Sequence, residues 1–199
     1  MLTSLSTPQI IITPFMKKNP YYCASIGFCI LLLSACNTAT PENYFDRAVL
    51  NTNMMMGFAG NGFQRQLEQP SAKLVEGTKD QTAPMKRKEV VENQVQYLEE
   101  SLAKIKNLKE TAETKTMLTA SVALYEYVLP VYKNEYLQLA KLYDENAPAA
   151  QITTLSQSIH DKYAAGFEER LTTLTNEGKI YAAKHKIPVN WGVKTSPDL

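Results

Sequence analysis

The sequence predicts an all-α protein, an antiparallel four-helix bundle with long helices, and three observations support that prediction. Apolar residues recur at intervals of three and four over long stretches. Polar turns, some of them with proline or glycine, separate these stretches. No segment shows the convincing alternation of apolar and polar residues that is typical of a half-buried strand. Stripes of similar length joined by short turns favour a bundle.

The first helix is predicted from about Pro41 to Leu67. Thr40 is a good N-cap, and a proline suits the first helical position that follows it. The stripe consists of Phe45, Val49, Thr52, Met56, Ala59 and Phe63. Each glycine costs a helix about 1 kcal/mol, so a break near Gly60-Asn61-Gly62 is an alternative. The triplet Met54–Met56 is interpreted as core filler, because flexible thioethers fill gaps.

A polar loop over 68–82 leads to a second helix, predicted from Thr82 to Glu110. A tight turn over 111–115 precedes the third helix, which we expect to end near Glu145. Its stripe is the most regular in the chain: Leu118, Val122, Tyr125, Leu129, Tyr132, Tyr136, Leu139 and Tyr143. Pro130 lies inside this helix and should kink it, because proline removes one backbone hydrogen bond.

The fourth helix is predicted from about Ala149 to Lys186, and Pro188 stops it. Its apolar side consists of Ile152, Leu155, Ile159, Tyr163, Phe167, Leu171, Leu174 and Tyr181. These boundaries predict a helical bundle domain over 41–187 and a short C-terminal tail over 188–199.

Residues 16–36 have the plan of a bacterial secretory signal. Lys17 and Lys18 follow Met16, and a mostly apolar stretch then runs to Leu33. A basic start, an apolar run of about ten residues and small residues before a break are typical of a cleaved signal. The run is shorter than the roughly 20 residues of a membrane-spanning helix. We expect Met16 to be the true start, because the upstream apolar run has no basic flank.

The string Leu33-Ser34-Ala35-Cys36 resembles the lipobox of bacterial lipoproteins. The resemblance implies that residues 1–35 are removed as a signal peptide and that Cys36 receives a diacylglyceryl group on its sulfur. Residues 36–40 would then be a lipidated tether. In such lipoproteins, an Asp directly after the cysteine retains the protein in the inner membrane. Asn37 stands there instead and implies the outer membrane, on either its periplasmic or its outer face. An ordinary secretory signal and an uncleaved membrane anchor are the alternatives.

Composition excludes several functions for the mature domain. Without residues 1–35, 19 basic residues stand against 20 acidic ones, a net charge of −1. Nucleic-acid binding is typical of basic domains, so we expect no nucleic-acid partner. Cys23 and Cys29 would leave with the signal while Cys36 is acylated. The mature domain would then have no thiol for catalysis, for a metal site or for a disulfide.

The two histidines form no catalytic or metal motif. A di-iron bundle needs paired Glu-x-x-His sequences, but Gln157 and Ala182 stand three residues before His160 and His185. Adjacent residues on a helix point about 100° apart, so His160 and Asp161 are interpreted as a solvated surface pair. We expect no catalytic residue, no metal and no cofactor.

A row of tyrosines in the third helix is the best candidate for a ligand site. Its members are predicted on the buried seam of that helix: Tyr125, Tyr132, Tyr136 and Tyr143. A buried tyrosine needs a partner for its hydroxyl. One interpretation is a wide core whose hydroxyls reach the edges. The other is an aromatic cleft near Pro130 that holds a small or extended ligand.

The segments Tyr132–Tyr136 and Tyr181–Ile187 are similar to segments of uncharacterised helical surface lipoproteins known from leptospiras and flavobacteria. That resemblance implies a helical, envelope-facing protein and assigns no activity. With the lipobox and the lack of catalytic groups, it predicts a non-enzymatic outer-membrane lipoprotein. Its helical domain would be an interaction or structural module, with the membrane and an envelope protein as partners. The alternative is a small-ligand-binding bundle that uses the tyrosine-lined cleft.

Overall fold

The structure is a computed structural model that describes residues 39–191, and this part of the chain is mainly helical. The prediction of an all-α protein is therefore confirmed. The signal segment 1–35, the predicted lipidation site Cys36 and the tail from residue 192 onward lie outside the described residues.

The predicted continuous helix over 41–67 is wrong. The chain instead forms α1 (Pro41–Ala48), a 3₁₀ helix (Leu50–Met55) and α2 (Asn61–Glu68). The predicted break at the glycines exists, but the α-helix already ends at Ala48. Gly57 has a φ of +91° and Ala59 a φ of +50°, and a right-handed helix cannot pass through such backbone.

The methionine triplet fills the core with only one of its three members. Met55 is fully buried, whereas Met54 and Met56 are 49% and 58% exposed. A 3₁₀ helix has about three residues per turn instead of 3.6, which moves Met55 to the inner face and Met56 to the outer one. The expectation that all three are core filler is therefore wrong for Met54 and Met56.

A short β-hairpin lies in the predicted polar loop and in the first residues of the predicted second helix, so the helix prediction is wrong for 82–86. β1 (Ala72–Leu74) pairs antiparallel with β2 (Thr82–Pro84), with Lys73 opposite Ala83. Three residues are too few for alternation to be recognisable in the sequence. Gly77, at a φ of +80°, gives the connecting turn a conformation that other residues rarely adopt.

Three long helical rods follow the hairpin. They are α3 (Arg87–Lys106), then α4 (Lys115–Val131) continuing through a π-helical turn (Tyr132–Tyr136) into α5 (Leu137–Asp144), and finally α6 (Ala149–His185). These bounds agree with the second, third and fourth predicted helices to within a few residues, except that α3 starts at Arg87. The Asp144 carboxylate accepts hydrogen bonds from the backbone N–H of Arg87 at 2.9 Å and of Lys88 at 3.0 Å, so the end of α5 caps the start of α3.

A π-helical turn follows Pro130. The π-helical turn begins two residues after Pro130, which has no backbone N–H to donate. The Asn134 side-chain amide donates to the Pro130 carbonyl oxygen at 2.7 Å. This turn places Tyr132 and Tyr136 on one buried face.

One core joins these elements. α6 packs against α4 and α5, α3 packs against the same two helices, and α1 contacts α3, α4 and α6. The largest fully buried side chains come from all of these elements: Phe45, Met55, Leu67, Val91, Leu98, Ile105, Met117, Leu124, Tyr125, Tyr132, Leu139 and Leu174. Burial of each contributes about 1.5–3 kcal/mol, so these side chains are the main source of stability.

Candidate functional site

Tyr132 and Tyr136 form the centre of an aromatic cluster. Their rings stack with centroids 4.9 Å apart, and the Phe63 ring lies edge-on against both, at 5.0 and 4.7 Å. Phe58 closes the cluster, 5.5 Å from Tyr132 and 5.9 Å from Tyr136. Such aromatic pairs add about 0.5–1.5 kcal/mol each beyond their buried area. This part of the predicted tyrosine row is packed core.

The other two predicted tyrosines lie elsewhere. Tyr125 is fully buried, and its hydroxyl makes no hydrogen bond among the described residues although Ser101 is near. Tyr143 is half-buried, and its hydroxyl donates to the Glu68 carboxylate at 3.3 Å. The structure therefore brings Tyr132 and Tyr136 together but does not join Tyr125 and Tyr143 to them in one cleft.

Burial changes the acidity of these phenols. Loss of solvation is the main cause that raises the pKa of Tyr136 to about 12, while the Ala59 N–H lowers it slightly. Loss of solvation likewise raises the pKa values of Tyr132 and Tyr125 well above their ordinary value. All three therefore stay neutral at physiological pH and act as hydroxyl donors or acceptors.

Two side chains from different helices hold Ala59. Its N–H donates to the Tyr136 hydroxyl at 2.8 Å, and its carbonyl oxygen lies 2.7 Å from His160 Nδ1. We call this arrangement the Ala59 clamp. A left-handed alanine costs about 1–2 kcal/mol, and each hydrogen bond contributes about 0.5–1.5 kcal/mol. The two bonds together offset the strain.

A pocket of about 300 Å³ lies beside the Ala59 clamp. Its polar lining consists of Asn61, Gln64, Thr153, Ser156, Gln157 and His160. Tyr136, Leu139 and Ile159 contribute its aromatic and apolar lining. Among the described residues that line it, none is Asp, Glu, Lys or Arg. Of the four predicted tyrosines, only Tyr136 lines this pocket.

The hydrogen bonds around the pocket determine which atoms remain free to bind a ligand. Gln157 donates its amide N–H to Asp161 at 2.7 Å, and Gln64 donates its own to Glu68 at 3.0 Å. Since carboxylates only accept, these bonds use the amide N–H groups, and neither amide oxygen has a hydrogen bond among residues 39–191. The Ala59 carbonyl also only accepts, so His160 Nδ1 carries the proton and Nε2 is an acceptor in the neutral ring.

The pocket does not contain a formed nucleophile–base pair. Ser156 and His160 are four residues apart and therefore share one face of α6. The Ser156 hydroxyl oxygen is buried without a hydrogen bond among the described residues, and a serine nucleophile needs a bond to its base.

A larger pocket of about 650 Å³ lies at the start of α3. Most of its charges already have partners, because Asp144 caps α3, Lys88 pairs with Glu92 at 3.4 Å and Lys141 pairs with Glu145 at 3.8 Å. It therefore offers a ligand fewer free groups than the pocket at the Ala59 clamp.

Within residues 39–191, no helix combines the length and apolar character that crossing a membrane requires. The same part of the chain contains no group of three or more His, Cys, Asp or Glu side chains placed to hold a metal ion.

The pocket was not predictable from the sequence. Its walls come from α2, the π-helical turn with α5, and the first half of α6, and their closeness depends on the break at Ala59. The only signal in the sequence was the glycine cluster at 57, 60 and 62, which indicated a break but not what would contact it.

No protein-family model matches the chain, and neither a curated protein nor a solved structure matches it significantly.

Proposed function

We propose that the chain is a non-enzymatic lipoprotein of the bacterial outer membrane whose helical domain is an interaction or structural module. The observation that carries this proposal is the string Leu33-Ser34-Ala35-Cys36 after Lys17, Lys18 and an apolar run. The membrane partner would be bound through acylated Cys36, and an envelope protein would be the partner of the domain.

The start of the domain is compatible with a short tether. Helix α1 begins at Pro41, five residues after Cys36, and an extended chain of that length spans at most about 17 Å. The Tyr44 hydroxyl donates to the Lys109 carbonyl at 2.8 Å, so the turn before α4 lies beside α1. This end of the domain would face the membrane.

We also propose that the helices form an antiparallel four-helix bundle whose first member is the interrupted α1–3₁₀–α2 segment. Short connections over 107–114 and 145–148 support this arrangement, because short loops join antiparallel neighbours. An experimental structure of the mature chain tests it. Parallel neighbouring rods, or a first segment outside the bundle, would contradict it.

Labelling with radioactive palmitate tests the anchor. In the natural host, we expect the wild-type chain to incorporate the label and to be processed in a globomycin-sensitive way. The variant Cys36→Ala should lose label, processing and membrane retention. The matched control is Cys29→Ala, because Cys29 lies in the apolar run and would be removed with the signal. This control should label like the wild type.

Unchanged labelling and membrane retention of Cys36→Ala would refute the anchor. Equal loss of label from Cys29→Ala would also refute it, because the effect would then not be specific to the lipobox cysteine.

A second candidate function is small-ligand binding, and the neutral pocket at the Ala59 clamp favours it. The aromatic part of such a site would be Tyr136, with Tyr125, Tyr132 and Tyr143 supporting the surrounding helices. Its test is direct binding to the purified chain.

A further inference from the structure

We infer that the pocket at the Ala59 clamp binds a small, uncharged, polyhydroxylated molecule of monosaccharide size. This inference deepens the second candidate function, small-ligand binding, and does not depend on acylation of Cys36. It rests on the charge, the hydrogen-bonding groups, the size and the rigidity of the pocket.

The charge of the lining disfavours an ionic ligand. The described lining residues include no carboxylate, ammonium or guanidinium group. The nearby carboxylates of Asp161 and Glu68 already accept the amide N–H groups of Gln157 and Gln64. An ion would find no countercharge among the lining side chains, so a neutral ligand is preferred.

The hydrogen-bonding groups favour hydroxyls. The amide oxygens of Gln157 and Gln64 are acceptors, and so is the Nε2 atom of His160 in its neutral form. The α2 helix begins here with Gly60 as its N-cap. The Phe63 N–H already donates to the Gly57 carbonyl at 3.2 Å, which leaves the N–H groups of Asn61 and Gly62 as donors of the first turn. A hydroxyl both donates and accepts, and a polyol therefore satisfies both kinds of group.

The volume of the pocket matches one sugar ring. Tyr136, Leu139 and Ile159 form its closed floor, since each is at most 3% exposed. A ligand would therefore meet mainly the polar groups of the rim. Small-molecule pockets range from about 300 to 1,000 Å³, so a pocket of about 300 Å³ holds a ligand at the small end of that range.

The pocket wall at Ala59 is held in place by hydrogen bonds. Strained backbone that side chains from two other elements hold in place is typical of functional sites, and Ala59 is held by Tyr136 and His160. The buried Ser156 hydroxyl has no hydrogen bond among the described residues, and a χ1 rotation toward a ligand hydroxyl would give it a partner.

Binding is tested by saturation-transfer NMR and titration of the purified full-length chain. The probes are glucose, galactose, N-acetylglucosamine and inositol. Two charged relatives of glucose, cationic glucosamine and anionic glucuronate, test the preference for a neutral ring. We expect saturable signals from at least one neutral probe and affinities at least tenfold weaker for both charged relatives.

The variant Gln157→Ala tests the location. Loss of one hydrogen bond should weaken binding of the neutral probe by about three- to tenfold. The matched control is Gln96→Ala, because Gln96 makes the same kind of exposed amide–carboxylate bond with Glu100, at 3.0 Å. It should leave the affinity unchanged.

Three outcomes would overturn the inference. They are no saturable signal from any neutral probe, equal or tighter binding of glucosamine or glucuronate, and equal effects of Gln157→Ala and Gln96→Ala. Each outcome leaves the labelling test of Cys36 untouched, so failure of the pocket and failure of the anchor are distinguishable.

Discussion

At the scale of single residues, Ala59 connects the packed core to the pocket. Its N–H group is hydrogen-bonded to Tyr136 and its carbonyl group to His160. The backbone of Ala59 therefore contacts both the π-helical turn and α6. A buried backbone group left without a partner costs about 1–3 kcal/mol. The clamp therefore makes the conformation of Ala59 depend on both helices.

We predict that Tyr136→Phe destabilises the domain by about 1–2 kcal/mol, because the ring stays and the buried Ala59 N–H loses its acceptor. The control is Tyr125→Phe, which removes a hydroxyl that has no hydrogen bond among the described residues. Its stability should be unchanged or higher. Urea unfolding followed by circular dichroism measures both. Equal destabilisation by the two substitutions would contradict the clamp.

The buried phenols also predict alkaline unfolding. Loss of solvation raises the pKa of Tyr136 to about 12 from an ordinary 10.0. As the pH rises, the Tyr136 phenol therefore ionises in the unfolded chain before it does in the folded one. Stability should be fully present below about pH 10 and should fall as the pH rises toward about 12, by up to about 1.4 kcal/mol per pH unit per group. Urea titrations across this range measure the slope. Tyr136→Phe should make it shallower, and an unchanged slope would contradict the assignment.

At the scale of elements, two glycines explain why the first segment is not one helix. A Cβ on Gly62 would lie 2.8 Å from the Cα of Gly57, and the reverse contact is 2.7 Å. The backbone here folds back on itself at a distance that no side chain permits. This close approach lies directly before and in the first turn of α2, whose residues Asn61 and Gln64 line the pocket together with residues of α6.

We predict that Gly62→Ala destabilises the domain by about 1–3 kcal/mol, because the new methyl group meets backbone that cannot move cheaply. Gly60→Ala is the neighbouring control, since its Cβ would meet nothing nearer than 3.8 Å. It should be neutral or stabilising by up to about 1 kcal/mol. Thermal unfolding compares the two. A Gly62→Ala variant as stable as Gly60→Ala would contradict the close approach.

The long helices were predictable because their stripes are local and their breaks carry prolines or polar turns. Leu118, Leu129 and Leu139 are buried as the spacing of the third helix predicts. The first segment was not predictable to the same extent, because its stripe continues through Met56 and Ala59 while the 3₁₀ helix shifts the register. The pocket depends on contacts between distant segments, which periodicity does not record.

At the scale of the whole molecule, the start of α1 and the proposed binding site lie far apart along α6. His185 lies near the α1 end, where its Nε2 atom is 2.6 Å from Glu113 and its charge acts on Glu42. At about 1.5 Å per residue, His160 lies about 38 Å further along the helix. The pocket is therefore remote from the end at which the described part of the chain begins.

The anchor is the central claim, and mass spectrometry of the N-terminal peptide from the chain isolated from its native membrane tests it most directly. The lipobox predicts a peptide that begins at Cys36 and carries the added mass of a diacylglyceryl group, with or without an amide-linked acyl chain. A peptide that begins at another residue, or a Cys36 without lipid, would contradict the account.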